Sequence, residues 1–382
     1  MKKLEALIGG VLVIFVLGYF AYNDLYKIDP RDFLNDRVST FYANEGITYK
    51  NLKPVEEALI EGGFSGKGLA QIGTYLDNIY VISRADIYSK DNTIQGILDP
   101  GFMYPLFLYK SREYFEDAGD GIYILKDKYK NKYIDILKNQ DIFMMPYRGL
   151  IILGTKDKEL KNLRDEENYP NEQLCKILDR EKSGNMGVFV INLDRVKVLG
   201  FDEMFISGDL TKDNLNCELV VGGNNRIIRS FFKSNTLKYS EKQPLENGMF
   251  FAKGTDGNLN DFFMFLRYFL KNYDLDYVME NLNLVDLKNT KTIYDNKSHR
   301  NYINVVEDQF FYGNMYLNKI FNVKENVGSL EVRGYAKNKA LIFLGKTKRE
   351  NLIKLIKEMR VGGQNDKNIQ HVDREVRGVQ TS

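Results

Sequence analysis

The chain has 382 residues, 43% of them hydrophobic, and a net charge of +2 at pH 7. This hydrophobic content is sufficient for a substantial core, and the length corresponds to two domains or one large one. Because the charges nearly balance, no strong electrostatic field favours nucleic acid as a partner.

The first predicted element is the apolar run Leu4–Tyr22, which is uncharged from Ala6 to Ala21. As a helix, these 16 uncharged residues cover roughly 24 Å. That length lies between the core of a cleaved signal peptide and a full transmembrane span. Cleavage after Ala21 is disfavoured because the bulky Tyr19 stands where a small residue is needed. We therefore expect an uncleaved signal anchor over residues 1–23, with a cleaved signal and a buried core helix as alternatives.

Basic residues flank this run on both sides, so their count discriminates weakly between the two orientations. They are Lys2 and Lys3 before it and Lys27, Arg31 and Arg37 after it. A head of three residues normally stays in the cytoplasm. We expect a single-pass protein of the cytoplasmic membrane whose bulk is extracytoplasmic, in the periplasm or at the cell surface of a bacterium.

Two short helices are predicted next. Asp29 and Pro30 form a helix-start signal, and the apolar residues from Phe33 to Tyr42 then recur at helical spacing. A second helix is predicted from Pro54 to the glycine pair Gly62 and Gly63. Because glycine ends helices, we interpret Gly62–Gly68 as a helix stop or loop. Its spacing does not fit a phosphate-binding loop.

Short apolar or alternating runs then predict strands joined by tight turns, which implies antiparallel neighbours. In the first half these runs are Tyr80–Ser83, Gly121–Lys126, Lys132–Lys138 and Ile142–Tyr147, with Asp127–Asn131 as a turn. In the second half they are Val188–Val198, Met204–Ser207, Leu215–Val221, Arg226–Phe232, Tyr302–Val306, Phe310–Leu317, Ser329–Tyr335 and Lys339–Leu344. A buried helix is predicted over Leu259–Asp274, a final helix over Lys348–Arg360, and a disordered polar tail over 361–382.

Two segments resemble each other across the chain. Each has an apolar strand, a glycine, a basic turn and an amphipathic helix, and Gly154 and Gly345 hold the same place in the two. This spacing fits a duplication with halves 24–182 and 183–360, although strand–glycine–helix segments also arise by chance. The segments Leu150–Leu163 and Leu341–Ile356 resemble those of anchored bacterial envelope proteins with tandem α+β halves. The resemblance implies an anchored extracytoplasmic module and assigns no catalytic residue.

The composition opposes several kinds of site. The two histidines, His299 and His371, have no partner at zinc-ligand spacing, and we expect no metal or cofactor. Asp256–Asp261 begins like a calcium loop but departs from it at two key positions. Ser230–Lys233 matches a penicillin-binding motif in the wrong order. Cys175 and Cys217 are compatible with a disulfide or with two separate buried thiols.

The fold expected is α+β, with antiparallel meander sheets and packed helices in two similar halves after a transmembrane helix. The expected function is non-catalytic, either binding or structural, with the cytoplasmic membrane as partner through Leu4–Tyr22 and an envelope protein or lipid as second partner. One alternative is a carrier of a lipid or hydrophobic ligand, suggested by the apolar block Phe262–Phe269. Another is a hydrolase of envelope polymers that uses carboxylates.

Overall fold

The protein is described here from a computed structural model. The residues it describes are 26–64, 68–84, 94–133, 141–166, 169–180, 184–192, 203–223, 242–244, 249–252, 282–285, 302–304, 309–337 and 340–360. The chain divides into two compact units. The first contains Met1–Leu52 and Leu69–Val196, and the second contains Lys53–Gly68 and Lys197–Ser382.

The first unit is built on an antiparallel sheet of eight strands in the order β8-β1-β2-β3-β7-β6-β5-β4. The strands are β1 Thr40–Glu45, β2 Asn78–Ser83, β3 Ile94–Asp99, β4 Phe115–Gly119, β5 Ile122–Leu125, β6 Phe143–Tyr147, β7 Leu150–Gly154 and β8 Val188–Ile191. Their inward positions carry aromatic and β-branched side chains that suit a half-buried pleated surface. Tyr80, Ile82 and Ile97 are examples, each at most 1% exposed.

Helices join and cover these strands. The α-helices are α1 Tyr49–Glu61, α2 Leu69–Ile72, α3 Tyr104–Tyr114, α4 Asp127–Tyr133, α5 Asp157–Asp165 and α6 Glu172–Arg180, and short 3-10 helices cover Pro30–Phe33 and Gly101–Met103. Helix α1 belongs to the second unit from Lys53 onwards. The residues after Glu61 show why α1 ends where it does. Gly63 adopts φ +91°, and the amides of Gly62 and Gly63 bond the carbonyls of Ala58 and Ile60. The predicted glycine stop is therefore confirmed.

The second unit has a sheet in the order β9-β10-β17-β16-β15-β12-β13, antiparallel except for the parallel pair β12–β13. Two further strands, β11 and β14, pair with each other. The strands are β9 Glu203–Leu210, β10 Asn214–Gly222, β11 Lys242–Pro244, β12 Met249–Ala252, β13 Leu282–Val285, β14 Tyr302–Asn304, β15 Gln309–Tyr316, β16 Ser329–Lys337 and β17 Ala340–Lys348. Helix α7 spans Leu317–Ile320, and helix α8 spans 349–360.

Six strands follow the same order in both units when each is considered by itself. In the first, β2 and β3 form a hairpin, and β3 pairs with β7, followed by β6, β5 and β4. In the second, β9 and β10 form a hairpin, and β10 pairs with β17, followed by β16, β15 and β12. Every neighbouring pair among these strands is antiparallel. In each unit the last of these six strands in chain order, β7 or β17, leads into a helix, α5 or α8.

The α+β class and the antiparallel pairing expected from the sequence are confirmed. The predicted strands at Tyr80–Ser83, Ile142–Tyr147 and Leu215–Val221 correspond to β2, β6 and β10. The final helix is also observed, over 349–360. Short apolar or alternating runs bounded by turn residues were sufficient to predict these strands.

Three predictions were wrong. The helix expected to continue from Pro30 to Tyr42 is a short 3-10 helix, Pro30–Phe33, and Phe41 and Tyr42 lie in strand β1. Asp127–Asn131 is part of helix α4 rather than a turn, and this helix also includes Lys132 and Tyr133, where a strand was expected. The second helix begins at Tyr49, before Pro54. For Phe41 and Tyr42, pairing of β1 with β2 and β8 overrides the local helical pattern.

Several predictions concern residues outside the described ranges. They are the anchor Leu4–Tyr22, the strand Arg226–Phe232, the buried helix Leu259–Asp274 and the tail 361–382. Within the described residues, no helix combines the length and the apolar character needed to cross a membrane.

Candidate functional site

The first residues that the structure describes, 26–28, contact a strand and a turn of the first unit through hydrogen bonds and an ion pair. The Ile28 amide donates to the Arg148 carbonyl at 3.1 Å, and Arg148 Nε donates to the Tyr26 carbonyl at 3.4 Å. Lys27 Nζ lies 2.8 Å from Asp99 Oδ1 and 2.9 Å from Asp99 Oδ2. We call residues 26–28, with Asp99 and Arg148, the amino-terminal junction.

Asp99 is the centre of this junction. Asp99 is only 1% exposed. In addition to the ion pair with Lys27, its carboxylate accepts hydrogen bonds from Asn78 Nδ2 and from the Gly101 amide, both at 2.9 Å. A buried carboxylate is tolerated only with such compensation, because desolvation of a charge is costly. Burial and the neighbouring Asp99 charge raise the pKa of Asp77, although Lys27 acts in the opposite direction.

Gly101 connects the junction to helix α3. Its φ of +52° lies in the left-handed region, and a Cβ at this position would collide with the Asp77 carboxylate. Only glycine adopts this conformation without strain. The chain then passes through Gly101–Met103 into α3, so the start of the helix is held beside the junction.

Helix α3 has two apolar faces. One face packs inside the unit, where Tyr104, Phe107 and Leu108 contact the cluster of Met144 and Ile151. The other carries Leu106 and Tyr109, which are 41% and 70% exposed, and it is preceded by Phe102 of the 3-10 helix Gly101–Met103, which is 71% exposed. The spacing of three residues places Leu106 and Tyr109 on one side of the helix. We call these three residues the exposed α3 face.

The charged groups of α3 lie towards its carboxyl end. Lys110, Arg112 and Glu113 are exposed and give the helix a net charge of +1. Lys126 Nζ donates to the carbonyls of Arg112 and Glu113, at 2.9 Å each. A lysine at this position stabilises the unpaired carbonyls and the negative end of the helix dipole.

A second polar network surrounds Arg31. Its guanidinium binds Glu45 in a bidentate manner, with Nε–Oε1 at 2.8 Å and Nη2–Oε2 at 2.7 Å, and Nη1 lies 2.6 Å from Asp179. The Tyr80 hydroxyl also donates to Glu45. Burial by itself raises the pKa of Glu45, but the hydrogen bonds from Arg31 and Tyr80 outweigh it and the pKa lies below its ordinary value. Burial and the Glu45 contact raise the pKa of Tyr80.

A third network joins Arg37 and Arg84 to Glu166. Each arginine lies 2.6 Å from one carboxylate oxygen of Glu166. Together with the Arg31 network and the junction, this arrangement pairs the half-buried or buried carboxylates Glu45, Asp99 and Glu166 with basic side chains. Such pairing is typical of structural ion pairs.

The two cysteines are free thiols. Cys175 lies in α6 and Cys217 in β10. Burial raises the pKa of both thiols, partly opposed by Arg31 at Cys175 and by the Gly345 backbone at Cys217. Of the two interpretations made from the sequence, the structure has the separate thiols. Neither has the low pKa that characterises a reactive cysteine.

Most other residues considered from the sequence lie outside the described ranges. They are His299, His371, Ser230–Lys233, Asp256–Asp261 and Phe262–Phe269. Among the residues that are described, no group of three or more potential ligands is arranged to hold a metal ion. The sequence interpretation missed the exposed α3 face, because it named no element between Ser83 and Gly121. Pro105 in the first helical turn was the available signal.

Comparison with known proteins adds little to this geometry. No family model matches the chain, and no curated protein matches it. Two solved structures, crystal forms III and I of TP0453, are 10% identical to this chain. The matches cover 87% and 86% of this chain and 98% and 97% of those chains, with TM-scores of 0.38 and 0.37. At this identity and score, the likeness is weak.

Proposed function

We propose that this chain is a membrane-anchored extracytoplasmic envelope protein with a non-catalytic binding or structural role. The observation that carries the proposal is the uncharged run Ala6–Ala21 behind Lys2 and Lys3. A run that is apolar on every face does not fit a surface helix of a globular unit. The tyrosines Tyr19 and Tyr22 at its end suit the membrane–water interface.

The amino-terminal junction supports this proposal because it leaves only a short connection between the apolar run and the first unit. Four residue steps separate Tyr22 from Tyr26, so at most about 14 Å of extended chain joins the run to the first unit. Hydrogen bonds to Arg148 and the ion pair with Asp99 then hold residues 26–28. An anchored protein would thus carry its first unit close to the bilayer rather than on a long linker.

The chemistry of the described carboxylates supports a role other than catalysis. Glu45, Asp99 and Glu166 are each engaged by basic side chains. The hydrolase alternative would depend on a carboxyl with a raised pKa, and Asp77 beside Asp99 is the first one to test. Loss of turnover on an envelope polymer in Asp77→Asn would favour that alternative. The carrier alternative depends on Phe262–Phe269, outside the described residues.

The shared strand order supports the further proposal that the two units arose by duplication. Gly154 lies opposite Gln95 across the β3–β7 pair, and Gly345 lies opposite Cys217 across the β10–β17 pair. The two glycines matched from sequence therefore occupy the same strand of the common order, facing the same hairpin strand. Chance similarity of a short motif does not require this agreement.

The experiment that tests the anchor is a reporter fusion after Arg360, using a reporter that is active only outside the cytoplasm. Active fusion protein that remains in the membrane fraction after alkaline extraction is the expected result. The matched control is Val13→Arg with Val16→Arg, because each charge at the centre of a span opposes insertion by about 3 kcal/mol. This double variant should lose both reporter activity and membrane retention.

Two outcomes would contradict the proposal. A silent fusion with intact protein would place the bulk of the chain in the cytoplasm. Retention of the double-arginine variant in membranes would mean that Leu4–Tyr22 is not the anchor. The mass of the mature protein distinguishes an uncleaved anchor from a cleaved signal peptide, because a cleaved chain would be lighter by the mass of the apolar run.

A further inference from the structure

The exposed α3 face is an unusual surface for a globular unit. Phe102 and Tyr109 are 71% and 70% exposed, with Leu106 between them in sequence. Single exposed apolar residues need no explanation, but a group of them on a helix and the turn before it marks a surface that contacts something apolar. The opposite side of the helix already packs on Met144 and Ile151, so the exposed side is not a misplaced core face.

The position of this face points to its partner. Phe102 is three residues after Asp99, and Asp99 holds Lys27 at the amino-terminal junction. Gly101, whose amide binds Asp99, fixes the turn between them. The surface therefore begins where the chain emerges from the proposed anchor, a few residues beyond Tyr22. A bilayer that contains Leu4–Tyr22 would lie within reach of Phe102.

The residue types also match a bilayer interface. Phenylalanine and leucine insert among acyl chains, and tyrosine places its ring at the headgroup level. Exposed Lys110 and Arg112 follow on the same helix and suit anionic headgroups, although Glu113 leaves a net charge of only +1. Apolar burial rather than electrostatic attraction should therefore dominate the contact.

The geometry points to a second membrane contact: the exposed α3 face, Phe102, Leu106 and Tyr109, docks on the surface of the bilayer that holds the anchor. This inference rests on the proposed function, because it takes the membrane to be the one that Leu4–Tyr22 enters. The docked helix lies in the interface plane with its apolar side about 5–10 Å into the headgroup–acyl boundary. The first unit is then held at two points, the junction and the helix.

The absence of tryptophan from the chain allows a direct test. Phe102→Trp and Tyr109→Trp each introduce a single tryptophan, excited selectively over the tyrosines, into the full-length protein reconstituted in phosphatidylcholine vesicles. The matched control is Ile94→Trp, at a residue that is also exposed, at 53%. It lies at the other end of strand β3, about 17 Å from Asp99. Circular dichroism and thermal unfolding establish that each variant is folded.

Flotation of the vesicles first establishes that the protein is anchored. Tryptophan at 102 or 109 should then emit at shorter wavelength and lose emission with brominated acyl chains, whereas tryptophan at 94 should not. The effect should persist when anionic lipid is added, because the charge of α3 is small. The triple variant with serine at 102, 106 and 109, carrying Tyr123→Trp as a partly buried reference, should float unchanged.

Two results would overturn the inference and leave the anchor intact. One is flotation without quenching at either position. The other is a shift to shorter wavelength that lipid bromination does not affect, which would assign the face to a protein partner or a second copy. Failure of every variant to float, with folded protein, would instead remove the proposed function and this inference with it.

Discussion

Gly345 lies directly opposite Cys217 across the β10–β17 pair, and the Cys217 sulfur occupies the space above the glycine. In the first unit, Gly154 lies opposite Gln95 in the corresponding pair, but the atom nearest to the position of a Cβ is Leu160 Cδ2 of α5, at 3.0 Å. The strand glycine thus leaves room for a side chain of the neighbouring strand in the second unit and for one of the following helix in the first.

Gly345→Ala should destabilise the second unit, because its Cβ would collide with the Cys217 sulfur. We expect a loss of about 1–3 kcal/mol in the free energy of unfolding, as for other overpacked sites. Combining the change with Cys217→Ala should recover part of the loss. Gly96→Ala is the matched strand-glycine control, because its nearest contact would be an ordinary 3.6 Å. Urea denaturation of the four proteins measures these effects, and equal losses at Gly345 and Gly96 would contradict the collision.

Asp99→Asn should weaken the amino-terminal junction, because it leaves Lys27 without its ion-pair partner. Removal of one partner from a buried pair typically costs about 3 kcal/mol. The effect should be larger than that of Asp117→Asn, whose side chain is exposed on β4. Chemical denaturation compares the two variants. A cost at Asp99 no greater than at Asp117 would mean that the junction does not stabilise the unit.

Stability should fall in acid partly through Glu45. Because its folded pKa lies below the ordinary value of 4.5, its contribution is present above that value and is lost as pH falls through the folded pKa. Glu45→Gln should therefore be less stable than the parent at pH 7, with a difference that shrinks below pH 4.5. Thermal unfolding across this range measures the difference. A gap that stays constant or grows in acid would contradict the assignment.

The ion pair between Arg349 and Glu61 should contribute little despite its good geometry. Nη1 and Nη2 lie 3.0 Å and 2.7 Å from the two carboxylate oxygens, but the Glu61 side chain is 51% exposed. A double-mutant cycle should give a coupling of at most about 1 kcal/mol, decreasing with added salt. The exposed pair Glu172–Lys176 in α6 is the control and should couple by only about 0.3–0.5 kcal/mol.

The two thiols should titrate as free in protein purified without a reductant. Burial raises the pKa of both, so each should react slowly with a thiol reagent in the folded state. Cys217 faces Gly345 inside the sheet, and its reaction should accelerate on unfolding. Quantitative labelling before and after denaturation tests this. Fewer than two thiols after denaturation would indicate a disulfide.

Local pattern predicted some elements and misled for others. The alternation of apolar and polar residues in Leu215–Val221 predicted β10 correctly. Phe33 to Tyr42 showed helical spacing, yet Phe41 pairs with Ile82 and Val190 in the sheet. An apolar residue such as Phe41 can be buried by a helix or by a strand, so the hydrophobic pattern alone does not distinguish the two. Pairing with β2 and β8, which are distant in sequence, stabilises the strand.

The candidate surface shows the same division. The apolar run Leu4–Tyr22 is visible in sequence because no charge interrupts it. Phe102, Leu106 and Tyr109 lie in a stretch whose neighbours Phe107 and Leu108 are equally apolar. Composition therefore does not separate the packed side of α3 from the exposed side. That separation depends on where Met144 and Ile151 of the sheet contact the helix.

Local periodicity and composition were enough to predict the α+β class, the antiparallel strands and the glycine stop of α1, and they are the basis on which an anchor is expected. Only the tertiary structure brought Lys27 to Asp99, 72 residues away, and placed the exposed face of α3 beside that contact. It also set Cys217 opposite Gly345. The reason is physical: strand pairing and ion-pair burial join residues that are distant in the chain, and no local pattern encodes their partners.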